Sequence, residues 1–382
     1  MVGFKQKAAV TLSNPIKIVT VVGARPQFIK AAPVSLALKA AGIQEILVDT
    51  GQHYDDTMRR IFFEQLDLNT PQYQLAIGSG SHGYQTGEGL VRLEPIYEQE
   101  KPDAVLVYGD TNATLSGALA AAKMHIPVAH VEAGLRSFNR RMPEEVNRVM
   151  VDHLAQWLFA PTQTAVEQLA KEGIQRNVHF VGDVMLDATL MYRELARKTH
   201  PDYLSGLSVQ PKDYYLLTLH RAETTASPSA IREILSVLDA QEKPVLFPMH
   251  PRVRPLVQGL GPFRNIRLLE PFGYFEMLLA EESALAIITD SGGVQKEAAF
   301  LEVPCITLRE ETEWLETVQA GWNTLVGLSS VRLKEALTHL KPSSTDISAC
   351  YGNGLARQRI ADILCQELLG SSSPRPELAS SI

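Results

Sequence analysis

The feature that most constrains this chain is a regular alternation of short apolar runs with helical sequence. Residues 16–22, 46–49, 104–108, 128–131, 157–160 and 178–181 read as strands. Runs this short, rich in Val, Ile and Leu, suit strands buried on both faces. Helical stretches follow them, at 26–40 with Pro26 in its first turn, at 55–66 and at 114–123. Strands separated by helices pair in parallel and leave both sheet faces covered, so the expected fold is α/β. The pattern lapses over residues 198–211, then resumes at 214–219, 245–248, 266–269, 285–288, 304–308 and 324–326. Two Rossmann-like, doubly wound domains facing a cleft are therefore expected, over 16–197 and 212–365, with 198–211 as linker. Residues 1–15 read as a loose extension and 366–382 as a tail, disordered from Ser371 onward. In such sheets ligands sit beyond the carboxyl ends of the strands.

One strand end has an unusual sequel. The run 285–288 is followed by Asp290-Ser291-Gly292-Gly293, after which Val294, Ala298 and Leu301 fall on one helix face. Ser291 suits an N-cap, and the glycines let a ligand approach the backbone. A helix N-terminus carries unpaired N–H groups and a positive dipole, which favour phosphate. Glu297, a turn further on, can accept hydrogen bonds from ribose hydroxyls. Phosphate and ribose together mean a nucleotide. Taken alone, the stretch is equally compatible with an ordinary turn whose glycines serve packing.

Other polar residues gather at expected strand ends. Arg25 and Lys30 follow the first strand and can hold a phosphate. Asp110 and Glu132 end two neighbouring strands, and Glu144 opens a helix with Asn147 and Arg148 behind it. Taken alone, Asp110 and Glu144 also read as ordinary helix-start residues. Grouped, the three acids would raise one another's pKa and serve as acids or bases near neutrality. His220-Arg221 and His250-Pro251-Arg252 end two strands of the second series, as an anion site would require. Gly78-Ser-Gly80-Ser-His-Gly83 matches a dinucleotide-binding pattern, but that fingerprint belongs in the first strand–helix unit. The net charge of −7 argues against nucleic acid or an anionic membrane as partner. No apolar run approaches the ~18 residues of a membrane span. Cys305, Cys350 and Cys365 show neither a disulfide framework nor metal-ligand spacing, which points to a reducing, cytoplasmic setting and no structural metal.

GARPQFIK (23–30), GQHYDDTM (51–58), YGDTNAT (108–114), HVEAGLRSFNRRMPEEVNR (130–148), HRAE (220–223), MHPR (249–252) and TDSGGVQKEA (289–298) resemble, in order, the non-hydrolysing UDP-N-acetylglucosamine 2-epimerases. TDSGGVQKEA, PCITLREETEWLET (304–317) and GDVMLDA (182–188) are most similar to a branch that includes UDP-2,3-diacetamido-2,3-dideoxy-glucuronic acid 2-epimerases. The resemblance implies a glycosyltransferase-B type fold, a UDP-sugar substrate, a homodimer and no metal or redox cofactor. It makes Asp110, Glu132, Glu144 and His220 catalytic. It assigns UDP to Arg25, His220, Ser291, Gly292, Gly293 and Glu297, with Lys30, Arg136 and His250 in support. Gln52 and His53 match a second, activating UDP-sugar site, although residues 82–92 depart from the pattern there. Trp314-Leu315-Glu316 departs from the more usual Arg-Pro-Glu and leaves the sugar open. Implied is an anti elimination of UDP to a glycal, followed by re-addition. A hydrolysing 2-epimerase, a glycosyltransferase and a non-catalytic UDP-sugar sensor are the competing readings.

Overall fold

The computed structural model describes residues 15–51, 66 and 68–370. Its first sheet comprises β1 (Lys17–Val22), β2 (Gln44–Asp49), β3 (Tyr73–Gln74), β4 (Ala104–Tyr108), β5 (Val128–Val131), β6 (Trp157–Ala160) and β7 (Val178–Phe180). The second comprises β8 (Tyr215–Thr218), β9 (Val245–Pro248), β10 (Ile266–Leu269), β11 (Ala286–Thr289), β12 (Cys305–Thr307) and β13 (Asn323–Leu325). The strand orders are β3-β2-β1-β4-β5-β6-β7 and β10-β9-β8-β11-β12-β13. Every pairing is parallel. The two expected α/β domains are therefore present, wound in the same sense. Each has a switch point where the order reverses, at β1/β4 and at β8/β11, and ligands favour such points.

Helix packing follows from side-chain size. The helix Asn112–Lys123 is almost all small residues, and a Cβ on Gly117 would stand 3.1 Å from Val107 and 3.2 Å from Val21. Its backbone thus lies close on the sheet, which places its N-terminus firmly beside the end of β4. In the helix Arg25–Ala40 the cap residue Ala24 has no polar side chain. Gln27 stands in: its Oε1 accepts from the N–H groups of Gly23 (2.8 Å) and Ala24 (3.0 Å), and its Nε2 donates to the Tyr108 carbonyl (2.8 Å). One buried side chain therefore binds the end of β1 to the end of β4.

The helix expected over 55–66 falls outside the described residues, Leu66 excepted. Two expectations about boundaries change. The stretch 198–211 is not a plain linker: the helix Val184–Thr199 runs into it, and the short helix Tyr203–Gly206 lies within it. The C-terminal domain does not continue to 365. The helix Ala356–Gly370 returns to the first domain and packs on the helix Arg25–Ala40. Its N-terminal N–H groups, Ala356 and Arg357, donate to Asp187 at 3.1 and 2.9 Å. A carboxylate at an orphaned helix start is favoured by the dipole, and it holds this crossover in place.

Candidate active site

Glu132 follows β5 and is held from both domains. Lys30, on the helix Arg25–Ala40, donates to Oε2. Lys296, on the C-terminal domain's helix Gly292–Phe300, donates to Oε1 at 2.9 Å. Lys296 also donates to Asp183 at 2.7 Å and lies 3.9 Å from the centre of the Trp314 ring. Burial pushes the Glu132 pKa up, but the two lysines outweigh it and bring it down to about 2. The expectation of carboxylates raising one another thus fails at Glu132, because cations rather than acids surround it. Glu132 has φ 73, a left-handed conformation that costs a non-glycine residue on the order of 1–3 kcal/mol and collects at functional sites. Gly109, with φ 62, makes room: a Cβ there would come within 3.3 Å of the Glu132 carboxylate.

Asp110 follows β4 and pairs with Arg148. Its carbonyl accepts from Asn147 Nδ2 at 2.9 Å. Both partners lie on the helix Pro143–Leu154, whose first turn is thereby set beside Asp110. Glu144 sits in that turn and is exposed, whereas its neighbour Glu145 is buried and accepts from Ser137, Phe138 and Arg148. The three acids thus differ sharply in setting: Glu132 is buried between lysines, Asp110 pairs with Arg148, and Glu144 is exposed.

In the C-terminal domain Asp290, at the end of β11, is fully buried. Its carboxylate accepts the N–H groups of His220 (3.1 Å) and Arg221 (3.0 Å) beyond β8, and stands 3.3 Å from Nδ1 of His220. The His250 ring is 5.8 Å from that of His220. Burial lowers both histidine pKa values, and the nearby Arg252 and Arg25 lower them further. Ser291 occupies the N-cap position, but its side chain makes no capping bond. The first-turn N–H groups of this helix thus remain available to an anion. A Cβ on Gly293 would meet nothing nearer than Ser291 Oγ at 4.0 Å, so open space lies beside it.

Glu297 is 5% exposed and its Oε1 has no partner. Burial raises its pKa to about 7, against Tyr274, Arg25 and both lysines, which lower it. A buried acceptor without a donor is costly, and ribose hydroxyls are suitable donors. Arg25 approaches Glu297 from the first domain. Burial lowers its pKa, and Glu297 is the foremost charge opposing that.

Arg136 is buried between Asp152 (2.7 Å) and Glu172 (2.7 Å), with a further bond to the Leu135 carbonyl, and so braces the β5–β6 side. The same network includes His130, whose nitrogens reach Asp152 (2.7 Å) and the Gly109 carbonyl (2.8 Å). Gln52 and His53 lie outside the described residues. The glycine motif 78–83 follows edge strand β3, away from the switch point, and a Cβ on Gly80 would overlap the Tyr84 ring. Sequence reasoning missed Lys296, Asp183, Asp290 and Trp314. Asp290 was open to detection as a polar residue ending an apolar strand. Lys296 carried no signal, because a lysine one turn into a helix is normally solvated.

This is a two-domain α/β architecture in which a carboxylate–lysine centre joins the domains beside a helix N-terminus that has no side-chain cap. The chain belongs to the UDP-N-acetylglucosamine 2-epimerase family, whose model matches residues 36–365, and with it to the isomerases. It is 48% identical to a UDP-N-acetylglucosamine 2-epimerase homolog of Methanococcus maripaludis, over 91% of this chain and 99% of that one. It is 46% identical to the UDP-2,3-diacetamido-2,3-dideoxy-D-glucuronate 2-epimerase of Pseudomonas aeruginosa, over 92% of this chain and 100% of that one. Its structure is similar to that of the Methanocaldococcus jannaschii UDP-GlcNAc 2-epimerase in complex with UDP-GlcNAc and UDP, with a TM-score of 0.85 and 43% identity, covering 92% of this chain and 100% of that one.

Proposed function

We propose that this protein interconverts UDP-N-acetylglucosamine and UDP-N-acetylmannosamine by anti elimination of UDP and re-addition through a glycal. The observation that carries the reading is Glu132, a buried carboxylate kept ionised by Lys30 and by Lys296, the latter on the helix that opens at Gly292 and Gly293. The C2 hydrogen of the sugar is not acidic, so its removal must accompany departure of UDP from C1. An ionised carboxylate is the form that accepts that proton. The helix N-terminus, Arg25 and His220 stabilise the charge on UDP while it is detached. Delivery of a proton to the other face needs a second group, and Asp110 or Glu144 supplies it. Closure of the cleft keeps water from the glycal. The test is product formed in heavy water. Deuterium at C2, with traces of UDP and 2-acetamidoglucal on long incubation, is expected; full retention of the C2 hydrogen overturns the elimination.

A second sugar is favoured by a specific observation: the glucuronate enzyme of Pseudomonas aeruginosa is nearly as similar as the first relative. Arg140 and Arg141, both exposed, stand ready to meet a uronate carboxylate. Assay of the two UDP-sugars side by side decides between them. A homodimer in the cytoplasm completes the proposal; light scattering tests the assembly. In keeping with it, no helix among the described residues is long and apolar enough to cross a membrane.

A further inference from the structure

Lys296 is a fully buried ammonium whose partners belong to the other domain. Glu132 lies beyond β5, Asp183 caps the helix Val184–Thr199, and Lys296 reaches both from the helix that opens at Gly292. Trp314, from a third segment, covers the ammonium with its ring. Burial of a lysine disfavours its charge, yet here Asp183 and Glu132 together raise its pKa above the usual range. We propose that Lys296 is the positioning residue for Glu132: from the helix that receives the nucleotide, it holds the proton-handling carboxylate in place and ionised, so that nucleotide contacts and proton transfer are referred to one rigid element. The inference rests on the role proposed for Glu132. A lysine serving only to join the domains would need Asp183 alone, since Glu132 already has Lys30. The bond to the second oxygen of Glu132 leaves both of its oxygens engaged by cations, which also fixes the carboxylate plane.

The charged and titratable groups around this triad are Lys30 on the helix Arg25–Ala40, Glu297 beside Lys296, Asp187 one turn beyond Asp183, and Tyr351. Of these, Lys30 touches Glu132, and among the described residues it and Lys296 are the cations paired with it. Loss of Lys296 must therefore raise the pH below which Glu132 becomes protonated.

The experiment compares Lys296→Met, Lys296→Arg and Asp183→Asn with the wild type. Two readouts are used: the acid limb of kcat against pH, and a carbon NMR titration of the Glu132 carboxyl in glutamate-labelled protein, assigned with Glu132→Gln. In Lys296→Met, kcat near neutral pH should fall by about 10²-fold, the cost of a misplaced carboxylate that remains ionised there. Both the limb and the titration should move up by about one to three pH units. Lys296→Arg should restore most of that shift. Asp183→Asn should lower Tm and leave the Glu132 titration in place. If Lys296→Met does not fold, Lys296→Met with Asp183→Asn removes the orphaned acid together with the cation and is read in the same way. An unmoved Glu132 titration overturns the proposal and leaves Lys296 as an interdomain pin. A wild type inert towards UDP-sugars overturns the functional reading alone, since the titration is independent of activity.

Discussion

Asp290 accepts the backbone N–H of His220 at 3.1 Å and also faces the imidazole Nδ1 at 3.3 Å. One buried carboxylate thus joins the ends of β8 and β11 and orients the ring. Asp290→Ala should cost about 1–3 kcal/mol for the backbone donors it strands. It should lower turnover as well, since His220 loses its orientation. Thermal unfolding and kcat, measured together, check this; a stable variant with wild-type kcat would remove His220 from the mechanism.

Gly293 offers a cleaner probe of the nucleotide site. Open space surrounds its Cβ direction, so Gly293→Val should fold with little change in Tm. UDP should nevertheless bind more weakly by more than about tenfold, because the valine occupies the phosphate's place. Calorimetric titration with UDP gives the answer. Unchanged affinity would move the phosphates away from this helix.

Glu297 predicts a proton count. Burial raises its pKa to about 7, so near that pH the free protein carries about half a proton there. Ribose hydroxyls donating to the carboxylate favour the ionised form, so UDP binding should release that fraction. Titrations in buffers of different ionisation enthalpy measure it. The same shift bears on stability. The folded chain keeps a proton that the unfolded chain, with its ordinary value of 4.5, gives up, so stability should fall as pH rises from about 4.5 to about 7. Glu297→Gln should flatten that part of the profile and abolish the proton release.

Glu132 has the opposite sign. Its pKa is depressed from 4.5 to about 2, so its contribution is present above 4.5 and is lost as pH falls towards 2. Glu132→Gln should weaken the dependence of Tm on pH in that acid window. It should reduce kcat by about 10²–10⁴ with UDP binding largely kept.

Arg136 should behave as a structural residue. Arg136→Ala removes the guanidinium from the buried Asp152, which keeps His130 and the Gly134 N–H as partners but loses its permanent countercharge, a loss on the order of 3–5 kcal/mol. KM for the UDP-sugar, measured well below the lowered Tm, should be unchanged. A specific rise in KM would return Arg136 to the substrate.

Local sequence determined the elements and the order of the two sheets' parts. Runs such as 104–108 and 286–289 bury every side chain, and a parallel strand needs nothing beyond its own apolar sequence and a following helix to be recognised. The strand-end residues Arg25, Asp110, Glu132, His220 and Ser291 were legible for the same reason: parallel α/β geometry sends successive strand ends to one edge. Element ends and long-range ion pairs were not legible in this way. Whether Arg136 faces a ligand or Asp152, and whether Lys296 faces water or Glu132, depends on partners at sequence separations of 16 and 164. A charged side chain is drawn to the opposite charge that burial brings nearest, and only the packed domains decide which that is. The sequence alone therefore placed Glu132 at the cleft, while the tertiary structure made it an ionised carboxylate, because it alone brought two lysines from two domains into contact with it.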